Sequence, residues 1–221
     1  MKRIIMLIAA LGLLQGVSAQ EEKVDAVQPD EAIEKVQLAV KLAKYGYDND
    51  SALALIEAAS ILNDVETSAL KPESFVSGEG ELGDKEAKAE LSVKQLLKDA
   101  REYAAGDATL LALADGIEAA GSGSRGAVGG ASSWTETVKA KTTDVYKIRF
   151  TAGKTAAVFV SGDGDTDLDL YIYDENNNLI TKDDDYTDDC YCSWTPKWTG
   201  TFVIKIKNRG DVYNRYVIYT N

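Results

Sequence analysis

Two different periods of apolar residues run along this chain. Over residues 30–120 they recur at helical spacing. Ile33, Val36, Val40, Ala43 and Tyr47 fall on one face. Asn49 or Asp50 can cap a second helix, whose stripe is Leu53, Ile56, Ala59 and Leu62. A Gly-containing loop follows, with Lys71-Pro72, Gly78, Gly80 and Gly83. Asp84 is placed to cap a third helix bearing Leu91, Leu97, Ala100 and Ala104. Gly106-Asp107 breaks and recaps before a fourth, with Leu110, Leu113, Ala114 and Ile117. The pattern predicts two helical hairpins packed as a small bundle. Offset by 57 residues, Lys41, Ala43, Lys44, Asp50 and Leu53 match Lys98, Ala100, Arg101, Asp107 and Leu110, either as a true repeat or as chance likeness of Ala-rich helices. The stripes read as core, or as a concave face for a protein partner.

From Trp134 onward the period becomes two. Tyr146, Ile148 and Phe150 face one way, with Lys147 and Arg149 opposite. Leu168, Leu170 and Ile172 alternate with Asp167, Asp169, Tyr171 and Tyr173. Phe202, Ile204 and Ile206 alternate with Val203, Lys205 and Lys207, and Tyr216 and Ile218 close the series. Glu175-Asn176-Asn177-Asn178 reads as a turn. About eight short strands with one apolar face each predict an antiparallel β-sandwich of jelly-roll type. The expected fold class is therefore multidomain α plus β: helical hairpins over 30–120, a Gly/Ser linker over 121–133, and the sandwich over 134–221.

The first residues change the setting. Lys2 and Arg3, the apolar run Ile4 to Leu14 and the small residues Val17-Ser18-Ala19 form the layout of a cleavable secretory signal over 1–19. The apolar run is shorter than the roughly 20 residues that a spanning helix needs. Residues 20–29 read as a flexible polar tail. The expected location is periplasmic or secreted, with no membrane insertion after cleavage. Loss of Lys2 and Arg3 takes the net charge from −12 to −14. Such a field disfavours nucleic acid as a partner. The sequence contains no His. That excludes Ser-His-Asp and Cys-His nucleophile pairs, His-ligated zinc and His acid–base chemistry.

The order GDGDTDLDLYIYDENNNLITKDDD, SWTPKWTGTFVIKIKN and YNRYVIYTN resembles the bacterial pre-peptidase C-terminal domain family over residues 134–221. The matching elements are Asp167-Leu168-Asp169-Leu170-Tyr171, Asn176 to Asn178, Asp183 to Asp189, and Thr199-Gly200-Thr201-Phe202. The resemblance implies a small β-sandwich binding module of exported proteins, some of which bind calcium or extracellular polymers. A helical region stands here where that family places a peptidase. This moves the expected role from protease appendage to binding accessory.

Eleven carboxylates lie between Asp163 and Asp189, against one Lys182. Hard cations take 6–8 oxygen ligands. One expectation is that Asp163, Asp165, Asp183, Asp184 and Asp185 converge on a calcium ion; the other is a solvated acidic edge with Asp side chains holding turn amides. Cys190 and Cys192 alternate with Tyr191. They read as buried thiols, as a strained bridge between neighbours on one strand face, or as metal or redox ligands. Trp134, Trp194 and Trp198 read as packing residues or as a sugar platform. The expected function is that of an exported, non-catalytic binding or accessory protein for an envelope or extracellular protein or polymer. The alternatives are a structural or chaperone-like accessory acting through the helices and, last, a carboxylate-pair hydrolase.

Overall fold

A computed structural model describes residues 30–65, 67–86, 91–121 and 131–221. The expected signal, the polar tail and most of the Gly/Ser linker lie outside these residues. The order of elements is α1 (Glu31–Asp48), α2 (Ala52–Asp64), β1 (Thr67–Ala69), β2 (Glu73–Ser77), α3 (Val93–Tyr103) and α4 (Ala108–Gly121), then β3 (Ala131–Val138), β4 (Thr143–Phe150), β5 (Ala156–Ser161), β6 (Leu168–Tyr173), β7 (Leu179–Asp183), β8 (Asp189–Trp194), β9 (Gly200–Asn208) and β10 (Asn214–Thr220). No helix among the described residues is long and apolar enough to cross a membrane.

The four helices form where the apolar period put them, with some caps corrected. Asp30 caps α1, its Oδ1 accepting from the N–H groups of Ala32 and Ile33 at 3.1 Å, and Glu31 and Glu34 suit the positive end of the helix dipole. Ser51 caps α2, in place of Asn49 or Asp50. Ser92 caps α3, so that helix starts well after Asp84. Asp107 caps α4 as expected, accepting from Thr109 and Leu110. Leu53, expected in the stripe of α2, is half exposed; Leu55, Ile56, Ala58 and Ala59 fill the core instead. Gly46 lets α1 and α2 cross closely, since a Cβ there would lie 2.5 Å from Leu55 Cδ2.

Two five-stranded sheets face each other. The first runs β1-β3-β10-β5-β8 and the second β2-β4-β9-β6-β7. Between β3 and β10 every successive strand switches sheet except β6 to β7, which is the jelly-roll order. The alternation read from the sequence supplies the core: Tyr146, Phe150, Leu168, Leu170, Ile172, Phe202, Ile204, Ile206, Tyr216 and Ile218 all point between the sheets. Trp194 packs edge-on against Phe150, and Trp198 stacks on Phe202.

Two features tie the helical stretch to the sandwich. First, β1 and β2 fall inside residues 30–120, where a loop was expected. β1 pairs in parallel with β3, from Thr67↔Ala131 to Ala69↔Ser133. β2 pairs antiparallel with β4, from Glu73↔Lys147 to Ser77↔Thr143. A single short segment thus adds one edge strand to each sheet, with Pro72 at the bend where no ladder donor is needed. β3 also begins at Ala131, inside the expected linker. Second, α1 lies on the outer face of the first sheet. Ile33, Val36 and Val40 pack with Ala157, Phe159 and Tyr219. This explains why all six residues of β5 are buried: one side faces the other sheet and the other side faces a helix. The face of α1 read as one stripe therefore divides between two cores, since Ala43 packs with α2, α3 and α4.

Asp144 is one of several buried carboxylates of the sandwich. Asp144 is 6% exposed and accepts from the Tyr216 hydroxyl at 2.9 Å; Tyr216 in turn meets the Tyr146 hydroxyl. Burial pushes the Asp144 carboxyl up to about 6, against a lowering by the Tyr216 hydrogen bond, with Glu136 adding a further rise. The folded protein keeps this proton up to about pH 6, whereas the unfolded chain releases it near the ordinary carboxylate value. The stability from the neutral form is complete below that ordinary value and is lost as pH rises through about 6. Asp144→Asn keeps the acceptor for Tyr216 without the buried charge. It is expected to stabilise the protein at pH 7 by about 2 kcal/mol and to flatten the difference from wild type below pH 4, as measured by urea unfolding across pH.

Candidate functional site

The acidic stretch of the sandwich meets lysines from the helical stretch. Lys85, in the segment after β2, reaches the loop between β5 and β6. Its Nζ pairs with Asp163 and with Asp165 at 2.9 Å and lies 4.1 Å over the Tyr213 ring. The side chains of Lys85 and Asp163 are 9% and 8% exposed. Lys44, on α1, reaches Asp189 at 2.7 Å and Asp188 at 3.4 Å. Burial works against the charge on both lysines. It is outweighed for Lys85 by hydrogen bonds to Asp163 and Asp165, and for Lys44 by those to Asp189 together with the Asp188 charge, so both are held above the ordinary lysine value.

The loop that carries Asp163 is fixed from beneath. Asn214 on β10 accepts from the Asp163 N–H at 3.3 Å and donates to Thr166 O and Oγ1 at 3.2 and 3.0 Å. Asp188 accepts from Gly164 N and Lys44. Gly164 has φ +84°, a conformation that favours glycine. The Arg215 N–H closes on Asp163 Oδ2 at 2.9 Å.

The five carboxylates expected to share a calcium ion are thereby separated by task. Asp163 and Asp165 do come together, around the Lys85 ammonium. Asp183 accepts from the Tyr191 N–H, satisfying a donor on edge strand β8. Asp184 pairs with Lys182, and Asp185 accepts from Thr187 N and Oγ1. Among the described residues, no three or more carboxylates or thiols gather as a metal site would require. A cation entering between Asp163 and Asp165 must first displace Lys85. Millimolar calcium is therefore expected to move the melting temperature of the wild-type protein by less than about 2 °C in calorimetry; a larger rise would contradict the ion-pair assignment.

Cys190 and Cys192 are both free and buried in the sandwich core. Cys190 Sγ donates to Leu168 O at 3.1 Å. Burial pushes the Cys192 thiol up to about 12, and the Cys190 thiol higher still, with the Asp183 charge adding to the rise. Neither has the accessible thiolate that redox or metal chemistry uses.

Beside the Lys44 and Asp163 contacts a cleft of about 560 Å³ opens between the helices and the first sheet. Val40 and Ala43 of α1, Leu91, and Val217 of β10 give it apolar walls. Tyr47, Asp48 and Asp99 form the helical rim; Thr135, Ser161, Gly162 and Arg215 form the sheet rim. The polar groups are held in place. Asp99 accepts from the Tyr47 hydroxyl at 2.9 Å and from Gln95 Nε2 at 2.8 and 2.9 Å. Ser161 Oγ donates to Asp189 at 2.9 Å. Burial and the Asp99 partner both push the Tyr47 phenol up. None of Lys44, Lys85, Asp99 or Asn214 stands out in the sequence as a site residue. Each lies far along the chain from its partners or inside a helix stripe, and only the excess of carboxylates over Asp163–Asp189 hints that cations must come from elsewhere.

The fold and the cleft together define a helix-covered jelly roll with a ligand-sized opening at the seam. No family model matches the chain, and no curated protein matches it. Among solved structures, it is similar to the pre-peptidase C-terminal domain of a collagenase from Bacillus anthracis: 10% identity over 40% of this chain and 87% of that one, TM-score 0.35. It is similar to a mitogen from Yersinia pseudotuberculosis, at 17% identity over 42% of this chain and 86% of that one, TM-score 0.36. It is similar also to a periplasmic inhibitor of g-type lysozyme from Aeromonas hydrophila, at 10% identity over 41% of this chain and 84% of that one, TM-score 0.33.

Proposed function

We propose that this protein is an exported, non-catalytic binding protein whose ligand or partner enters the cleft between the helices and the first sheet. The observation that carries this reading is the cleft itself. Its volume of about 560 Å³ falls in the range of roughly 300–1,000 Å³ usual for ligand pockets, and apolar walls with a few fixed polar groups are the usual lining. Its walls come from both parts of the chain, which gives the helices and the sandwich a shared task.

The chemistry of the lining supports binding over catalysis. Lys44 is engaged by Asp188 and Asp189, Asp163 by Lys85, and Asp99 by Tyr47 and Gln95. These are positioned partners in closed pairs; the Ser161 hydroxyl on the cleft rim donates to Asp189, which Lys44 already engages, and that makes the carboxylate a weak base for a nucleophile. The chain carries no His to serve as that base.

Val217→Trp fills the cleft from the sheet side. Envelope extracts passed over immobilised wild-type protein and over the Val217→Trp variant test the reading. A component retained by wild type is expected to pass through the variant, provided both melt within a few degrees of each other. Equal retention by the two columns would place the binding surface elsewhere.

A further inference from the structure

Among the described residues the helices pack on the first sheet, and the outer face of the second carries no helix. Its composition runs against that of the chain. The register places Lys205 beside Val145 and Tyr171, Val203 beside Lys147 and Tyr173, Lys207 beside Thr143 and Asp169, and Arg149 beside Thr201, all on this face. Two of its acids are already matched: Glu73 pairs with Lys147 at 2.7 Å, and Asp169, with a 2% exposed side chain, pairs with Arg209. Arg149, Lys205 and Lys207 have no carboxylate partner among the described residues. In a chain of net charge −12, this face is left basic.

We infer that this face binds a carboxylated polysaccharide lying along β9. Lys205 and Lys207 project about 7 Å apart on β9, and the row from Lys207 to Arg149 spans roughly 20 Å at the strand rise. Between these cations lie ring faces. Tyr171 and Tyr173 have centroids 6.5 Å apart, and the Lys205 ammonium sits 4.3 Å over the Tyr173 ring. Spaced cations with interleaved aromatic and apolar side chains match a polymer that alternates carboxylates with the C–H faces of sugar rings. The carboxylates pair with Arg and Lys, and the sugar faces pack on tyrosine and Val203. A polyphosphate carries a denser charge and meets stronger repulsion from the acidic remainder of the molecule. This site is separate from the cleft and stands or falls without it.

Affinity electrophoresis of the full chain in gels containing polygalacturonate, with neutral dextran as the comparison, tests the inference. Wild type is expected to be retarded by polygalacturonate and not by dextran, with the effect fading as salt rises. Lys205→Glu with Lys207→Glu is expected to weaken binding roughly tenfold, and Arg149→Glu, at the other end of the row, to weaken it in the same direction. Lys154→Glu, on the turn between β4 and β5, is expected to leave retardation unchanged. Melting curves confirm that each variant is folded. Lack of retardation of wild type, equal retardation by dextran, binding to DNA or anionic vesicles in place of polygalacturonate, or full retention by both basic-face variants would each overturn it.

Discussion

Replacing Lys85 with methionine is expected to cost about 3 kcal/mol of stability, read from urea unfolding. Methionine keeps an unbranched stem against Tyr213, so the loss reports the charge. Asp163 is 8% exposed in the paired state, and without the ammonium its carboxylate is buried with the Arg215 N–H as a weaker partner. Removing one member of a buried pair costs more than the pair was worth, because the remaining charge stays desolvated. Adding Asp163→Asn to the same chain is therefore expected to recover most of the loss, since the amide oxygen still accepts from Arg215. A double-mutant cycle is expected to give a coupling above about 1 kcal/mol. A loss below about 0.5 kcal/mol for the single change would mean that Lys85 is a surface residue and that the segment after β2 does not belong to the sandwich.

Phe159→Ala is expected to cost a similar amount, about 3 kcal/mol, for a different reason. Phe159 lies on β5 but points away from the sandwich core, towards Ile33, Val36 and Val40 of α1, and stacks with Tyr219. It is 4% exposed because a helix covers it. In a free sandwich this position would be surface, and its substitution would fall within about 0.5 kcal/mol. Limited trypsinolysis provides a second reading. Cleavage at Lys35 and Lys41 is expected to accelerate in the variant as α1 loses its seat, while the sandwich strands stay protected.

How much of this was legible in the sequence follows from which side chains carry a periodic signal. The inner face of the jelly roll was readable, because Leu168-Leu170-Ile172 and Phe202-Ile204-Ile206 alternate with polar neighbours and are buried in that register. The helices were readable for the same reason, at the other period. The edge strands β1 and β2 were not. Every residue of both is exposed, so neither face is selected for apolar side chains, and the backbone ladder that defines them leaves no mark on residue type. The outer burial of β5 was hidden too, since a helix covering a sheet can be read only once the two are known to meet.

The site divides in the same way. Asp163 and Asp165 were recognisable as carboxylates in need of a cation. That cation is a lysine 78 residues from Asp163 along the chain, in a stretch that reads as the first turn of the third helix. Asp183, Asp184 and Asp185 look equivalent in sequence, yet they serve an edge-strand amide, a neighbouring lysine and a turn. Local hydrogen bonding of Asp is common enough that a run of them does not distinguish ligands from caps. Cys190 and Cys192 were readable as core positions by their alternation with Tyr191, and the core is where they lie.

The central claim is that the helical stretch and the jelly roll form one cooperative unit, joined by the β1–β2 segment, the α1 face and the Lys44 and Lys85 pairs. Calorimetry of the full chain tests it most directly. One transition is expected, with calorimetric and van't Hoff enthalpies that agree, and with Lys85→Met and Phe159→Ala lowering that single transition as a whole. Two resolved transitions, the upper one unmoved by either substitution, would contradict it and return the molecule to a sandwich with a tethered helical neighbour.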